Sequence, residues 1–114
     1  MKSRYTIKKN SDFRRIYARG KSAVTPYMVV YCRKSTGPDN RTGFTVSAKL
    51  GNAVVRNTVR RRLRDVYRRN SSVIRSGLDI IVVARSKAVN ADFSALNSSF
   101  AECCSKLNIL TDPK

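Results

Sequence analysis

The stretch GFTVSAKLGNAVVRNTVRRRLRDVYRRN, residues 43–70, changes its period partway along. Its first five residues, Gly43–Ser47, are β-prone. From Asn52 onward the apolar residues return at helical spacing, with Val55, Val59, Leu63, Val66 and Tyr67 on one stripe. A strand followed by a long helix, opened near Asn52 and ending near Asn70, is therefore expected. The helix has an unusual polar side: residues 56–69 hold seven arginines and one acid, Asp65.

Outward from this stretch, other elements follow the same logic. Ser71–Gly77 reads as a polar connector, and Leu78–Ala84 (LDIIVVA) as a buried strand. Asn90 and Asp92 start a last helix, with Phe93, Leu96, Phe100, Cys103 and Leu107 as its apolar stripe. Upstream, Tyr27–Cys32 is a β-prone run after Pro26. The segment Ser35–Thr42 carries Gly37, Pro38, Asp39 and Asn40 and reads as a turn, making a hairpin with Gly43–Ser47. Ser11 can cap a short helix, Asp12 suits its positive end, and Gly20 closes it. Phe13, Ile16 and Tyr17 share a face of that helix. Residues 1–10 read as a basic N-terminal arm. The 114 residues fit a single α+β domain, a small mixed or antiparallel sheet with three helices packed on it.

Charge narrows the class of partner. The chain carries 24 Lys+Arg against 7 Asp+Glu, a net +17. Residues 1–70 supply 19 of the basic groups and 3 of the acids. A solvated helix face normally mixes charges at i,i+4, whereas here Arg60, Arg64 and Arg68 repeat one sign at that spacing. On a helical wheel Asn57, Arg60, Arg61, Arg64 and Arg68 form one sector beside the apolar stripe, and Arg56 lies near the apolar edge. Arg62 and Arg69 fall on the opposite flank near Asp65 and read as an ordinary solvated pair. Guanidinium groups suit bidentate phosphate contact and stacking on bases. Nucleic acid is the expected partner. An anionic membrane is not, because no bulky exposed apolar face accompanies the charge. No run approaches the ~18 apolar residues of a membrane span.

The residue types for autonomous catalysis are missing. There is no histidine, so no Ser-His or Cys-His nucleophile pair can form. The seven acids are scattered, without the clustering a metal nuclease needs. Cys32, Cys103 and Cys104 lack metal-ligand spacing and read as reduced, buried thiols of a cytoplasmic protein. No catalytic residue and no metal ligand is assigned to this chain.

Residues 53–64, AVVRNTVRRRLR, resemble the signature of the protein subunit of bacterial ribonuclease P. Ala53, Arg56, Asn57, Val59, Arg60, Arg61 and Arg64 match it, and Thr58 stands where the family commonly has a basic residue. IKKNSDFRRIYARGKS resembles the family's opening, GFTVSAKLGNAVVRN its approach to the motif, and LDIIVVAR the following strand. The likeness runs through nearly the whole chain.

That resemblance implies a fold similar to the second domain of a small-subunit ribosomal protein, with a left-handed βαβ crossover around the arginine helix, against the usual hand. It implies a subunit of an endoribonuclease that removes the 5′ leader of precursor tRNA and leaves a mature 5′ phosphate. The catalytic groups would belong to the RNA subunit, and Mg2+ would be held mainly by that RNA and the substrate. Arg56, Asn57, Arg60, Arg61, Arg64 and Arg68 would meet the catalytic RNA, one protein per RNA. Phe13, Tyr17, Tyr31, Ser47 and Lys49 would contact the leader, in a cleft between the first helix and the sheet. Unpaired bases stack on such rings without demanding a sequence. Helical spacing alone leaves Phe13 open between core packing and exposure in that cleft. A basic ribosomal protein that binds rRNA without cleavage is the competing reading. A duplex-DNA reader is not supported, since no helix-turn-helix spacing surrounds the arginine helix.

Overall fold

The computed structural model describes residues 6–111; the first five residues of the basic arm lie outside the described residues. Its elements are α1 (Asn10–Arg19), β1 (Lys21–Val24), β2 (Met28–Lys34), β3 (Arg41–Thr45), α2 (Ala53–Asn70), β4 (Leu78–Ala84) and α3 (Phe93–Lys106). The four strands form one mixed sheet in the order β1-β2-β4-β3. The α+β class and the three helices agree with the sequence reading.

The expected hairpin between β2 and β3 does not form. β4 lies between them, antiparallel to β2 and parallel to β3. The apolar content of β4 explains this. Ile80, Ile81 and Val82 are each at most 1% exposed, so this strand needs cover on both faces and neighbours on both edges. The hairpin that does form joins β1 to β2. Its turn is held by the Thr25 hydroxyl, which accepts the N–H groups of Tyr27 and Met28 at 3.2 Å.

Strand alternation separates two cores. Val30, Cys32, Ile80 and Val82 face α2 and α3, meeting Val59, Leu63, Val66, Leu96, Phe100 and Cys103. Ile81 faces the other way, onto Ile7 and Ile16, with Phe13, Tyr31 and Val83 packed around them. Two helices thus cover one face of the sheet, and the ten-residue α1 covers only part of the other.

The N-terminal half differs from expectation in further details, and β3 starts at Arg41 instead of Gly43. Lys9, not Ser11, is the N-cap of α1, and its side chain makes no capping bond. Ser11 lies inside the helix. Gly20 does end α1, yet in extended conformation rather than left-handed. Its role is close approach, because a Cβ there would stand 2.6 Å from the Ile16 carbonyl oxygen and 2.7 Å from that of Cys32. The arm is also partly structured: Ile7 is buried and donates its N–H to the Thr42 carbonyl at 2.9 Å, extending the sheet beyond β3.

Candidate nucleic-acid interface

α2 begins where the Asn52 side chain accepts the Val55 N–H at 3.0 Å, as an N-cap should. Val59, Leu63 and Val66 are each 1% exposed, and Val55 and Tyr67 are half-buried beside them. That buried stripe fixes the roll of the helix and therefore the direction of every arginine. Arg61 is exposed, and Arg60 and Arg64 are half-buried along the neighbouring sector.

Local partners hold several of these groups in place. Arg60 donates to the Asn57 side-chain oxygen at 2.8 Å. Arg64 lies over the Phe44 ring, 5.9 Å from its centroid. Arg56 is half-buried and donates Nε–H to the Gly51 carbonyl at 3.2 Å. Arg68 meets Asp65 at 3.3 Å, but its side chain is 70% exposed, so the pair is a weak solvated one. The Thr58 hydroxyl donates to the Val54 carbonyl, closing on its own helix at 3.0 Å.

Arg62 is half-buried instead of solvated as expected, and Arg69, although exposed, has a ring for a neighbour. Arg62 donates to the Ala91 carbonyl at 3.3 Å. Arg69 stacks over Phe93 at 4.7 Å. Both fasten α2 to the start of α3. The wheel gave their direction correctly and could not show that another helix waits there.

Between the arginine row and the edge of β3 lies a cleft of about 510 Å3, lined by Phe13, Gly43, Phe44, Arg60, Arg64 and Arg68 among others. Phe13 thus borders the cationic surface as well as the aromatic one. Its ring fits because β3 has no side chain beneath it: a Cβ on Gly43 would stand 2.8 Å from Phe13 Cζ.

The aromatic surface is a chain of rings on the α1 side of the sheet. Phe13 and Tyr17 have centroids 6.2 Å apart, and Tyr17 meets Tyr31 edge-on at 4.8 Å. The Tyr17 hydroxyl lies 3.2 Å from Thr45 Oγ1, and the residue is 37% exposed. Phe13 and Tyr31 are half-buried, which places Phe13 between its two readings. Ser47 and Lys49 are exposed on the turn leading into α2, where Ser47 Oγ accepts the Lys49 N–H at 3.2 Å. Neither makes a hydrogen bond to the rings.

Sequence reasoning missed the floor of this surface. Val24, Val29, Val83 and Thr45 are aligned across all four strands, on the same side as Tyr17 and Tyr31. Val24 is 51% exposed and the others are half-buried, because α1 is too short to reach them. The alternation of Val29 with Val30 and Tyr31 carries a faint signal; the register that aligns Val24, Val83 and Thr45 is absent from any local pattern.

The described residues offer little for bond-breaking chemistry. No three His, Cys, Asp or Glu among them are placed to hold a metal ion. Asp79, 6% exposed, is occupied by a bidentate contact with Arg41 at 2.9 and 2.8 Å. Asp12 meets the same guanidinium at 3.5 Å. Hydrogen bonding to Asp79 raises the Arg41 pKa above its ordinary value. Burial pushes the Cys103 thiol up to about 11 and the Cys104 thiol up to about 12, which makes both poor nucleophiles and poor ligands. The donor set does not fit a protein-held Mg2+ ion. No helix among the described residues is long and apolar enough to cross a membrane.

Comparison with known proteins agrees with this geometry. The family described as Ribonuclease P matches residues 1–108. The ribonuclease P protein component of Alkaliphilus oremlandii is 36% identical over 110 residues, covering 96% of each chain. That of a Thermoanaerobacter species is 42% identical over 100 residues, covering 88% of this chain and 86% of its own. The structure of the Staphylococcus aureus RNase P protein superposes with a TM-score of 0.84 at 36% identity, covering 94% of this chain and 98% of that one.

Proposed function

The chain belongs to the ribonuclease P protein family, a protein subunit of an endoribonuclease that works with an RNA, and from that premise we propose how it divides the labour. Arg56, Asn57, Arg60, Arg61, Arg64 and Arg68 bind the catalytic RNA. Phe13, Tyr17 and Tyr31, with Ser47 and Lys49 at the far end, bind the unpaired 5′ leader of precursor tRNA. The RNA subunit carries the catalytic groups, and Mg2+ is held by that RNA and the substrate. One protein serves one RNA, in the cytoplasm.

The observation that carries this reading is the pairing of two surfaces of different chemistry at Phe13. On α2, side-chain guanidinium groups outnumber carboxylates and stand beside a cleft. They suit the closely spaced phosphates of folded RNA. On α1, tilted and edge-on rings remain partly open to solvent. They suit bases that are not already stacked in a duplex. Binding both RNAs at once orients the leader against the RNA-borne site, which raises the effective concentration of substrate without a protein nucleophile.

The test is reconstitution with a bacterial ribonuclease P RNA and cleavage of precursor tRNA at low magnesium concentration. Stimulation of cleavage by the protein is the expected result. Absence of stimulation with a competent RNA would overturn the reading.

A further inference from the structure

A second basic groove lies on the other flank of α1. Two adjoining hollows of about 460 and 330 Å3 share Arg19, Arg33 and Lys34 in their walls. Arg15, Lys21, Arg41 and Arg75 complete a set of seven cations around them. Among these seven, Arg41 and Arg15 pair with carboxylates of the described residues, Arg15 at 3.4 Å from Asp12, and the other five do not. The acids in the walls, Asp12 and Asp79, are engaged by Arg41. Clustered like charges in a concavity repel one another more than they would on a convex surface, so the groove favours an anionic occupant. Its floor is apolar, made by Leu78, Leu107 and Ile109.

The groove opens beside α1, away from the arginine row of α2. Around α1 the order of side chains is continuous. Tyr17 faces the rings, Arg14 and Ala18 are exposed on the outer ridge, and Arg15 and Arg19 line the groove. Ala18 leaves a low saddle between the cations. On β2, Tyr31 and Arg33 point to the same side two residues apart. A strand that leaves the rings over α1 therefore meets cations without a break.

We infer that this groove binds the distal, 5′ part of the leader, beyond the nucleotides stacked on Tyr17 and Tyr31. The inference rests on the leader reading above. The cations take the phosphates, and the apolar floor takes a base face. A duplex is disfavoured, since the apolar floor has use only for an unstacked base.

The experiment uses the reconstituted protein–RNA complex and two precursor tRNAs. One has a leader just long enough to reach the rings; the other has a leader several times longer. The variant Arg19→Ala with Arg33→Ala is compared with Tyr17→Ala, and affinity is measured against salt. The groove variant is expected to weaken the long-leader substrate several-fold and leave the short one unchanged. The salt slope for the long leader should fall by about 1.4, at about 0.7 per lost single-strand phosphate contact. An Arg75→Ala variant should show the same length dependence, which guards against a local folding defect. No change at either length, while Tyr17→Ala still weakens both, overturns the groove and leaves the leader cleft standing. Weakened assembly with the catalytic RNA alone also overturns it, by assigning the groove to that RNA. Length-dependent loss in the groove variant with no loss in Tyr17→Ala supports the groove and removes the cleft.

Discussion

Phe13 of α1 occupies the space that a side chain at position 43 of β3 would fill, with 2.8 Å from its Cζ to where a Cβ of Gly43 would stand. The absence of a single methyl group thus seats the ring that borders both proposed RNA surfaces. Gly43→Ala is expected to displace Phe13 and destabilise the fold by about 1–3 kcal/mol, the usual range for overpacking. Leader affinity should fall with it. In the double variant with Phe13→Ala, the stability loss should be well below the sum of the singles, measured by urea unfolding. Additive losses would mean the ring and the glycine are energetically independent.

The two arginine pairs of α2 should fail in different ways. Arg60→Ala with Arg61→Ala is expected to keep the melting temperature and weaken RNA binding. Its salt slope should be shallower by about 1.4–1.8, two contacts at about 0.7–0.9 each. Arg62→Ala with Arg69→Ala should instead lower stability by about 1–3 kcal/mol, from one hydrogen bond and one cation–π contact to α3. Filter binding across salt and thermal melts of both variants separate the effects; identical profiles would refute the division.

Stacking at the aromatic cleft predicts selectivity between substrates. Tyr17→Ala should weaken leader-containing precursor by about 1–3 kcal/mol, the value of one base on one ring, and leave mature tRNA nearly unaffected. Tyr17→Phe keeps the ring and loses only the hydroxyl contact to Thr45, so most of the affinity should remain. Equal losses for precursor and mature tRNA would rule out leader stacking.

The buried thiols predict an alkaline limit. Their folded values, about 11 for Cys103 and about 12 for Cys104, lie above the ordinary 9.0 because burial disfavours the thiolate. The unfolded state therefore loses its thiol protons first. The associated stability is complete below pH 9.0 and declines as pH rises toward 11 and 12. Burial shifts the Tyr67 hydroxyl in the same direction. Urea midpoints should hold steady from pH 7 to 8.5 and fall above about 9, less steeply in Cys104→Ala. Iodoacetamide at pH 8 should leave both thiols unmodified in the folded protein and label them in urea.

Elements with a strong period were legible from the chain. The apolar stripe of α2, the run LDIIVVA and the stripe from Phe93 to Leu107 each announced their element. β1 did not, because KSAV turns only Ala23 inward and so has no repeat to detect. Strand order was misread for a thermodynamic reason. Consecutive strands joined by a turn normally pair, but β4 has the greater need for two neighbours and takes the centre. The arginine row was visible on a wheel, since a helix sets its own directions. The tethering of Arg62 and Arg69, the seating of Phe13 on Gly43 and the partly open row of Val24, Val29 and Val83 depend on tertiary placement, which no local pattern encodes.

The central position of β4 imposes an order of events during synthesis. β3 has no neighbouring strand within the first seventy residues, and α2 has no complete floor, until Leu78–Ala84 has been made. Until then the β1–β2 hairpin is the main sheet pairing the nascent polycation can make. Completion of the sheet must wait for contacts between distant segments, which are slow to form. Fragments ending before Leu78 should consequently behave as disordered, RNA-sticky peptides, not as smaller versions of the domain.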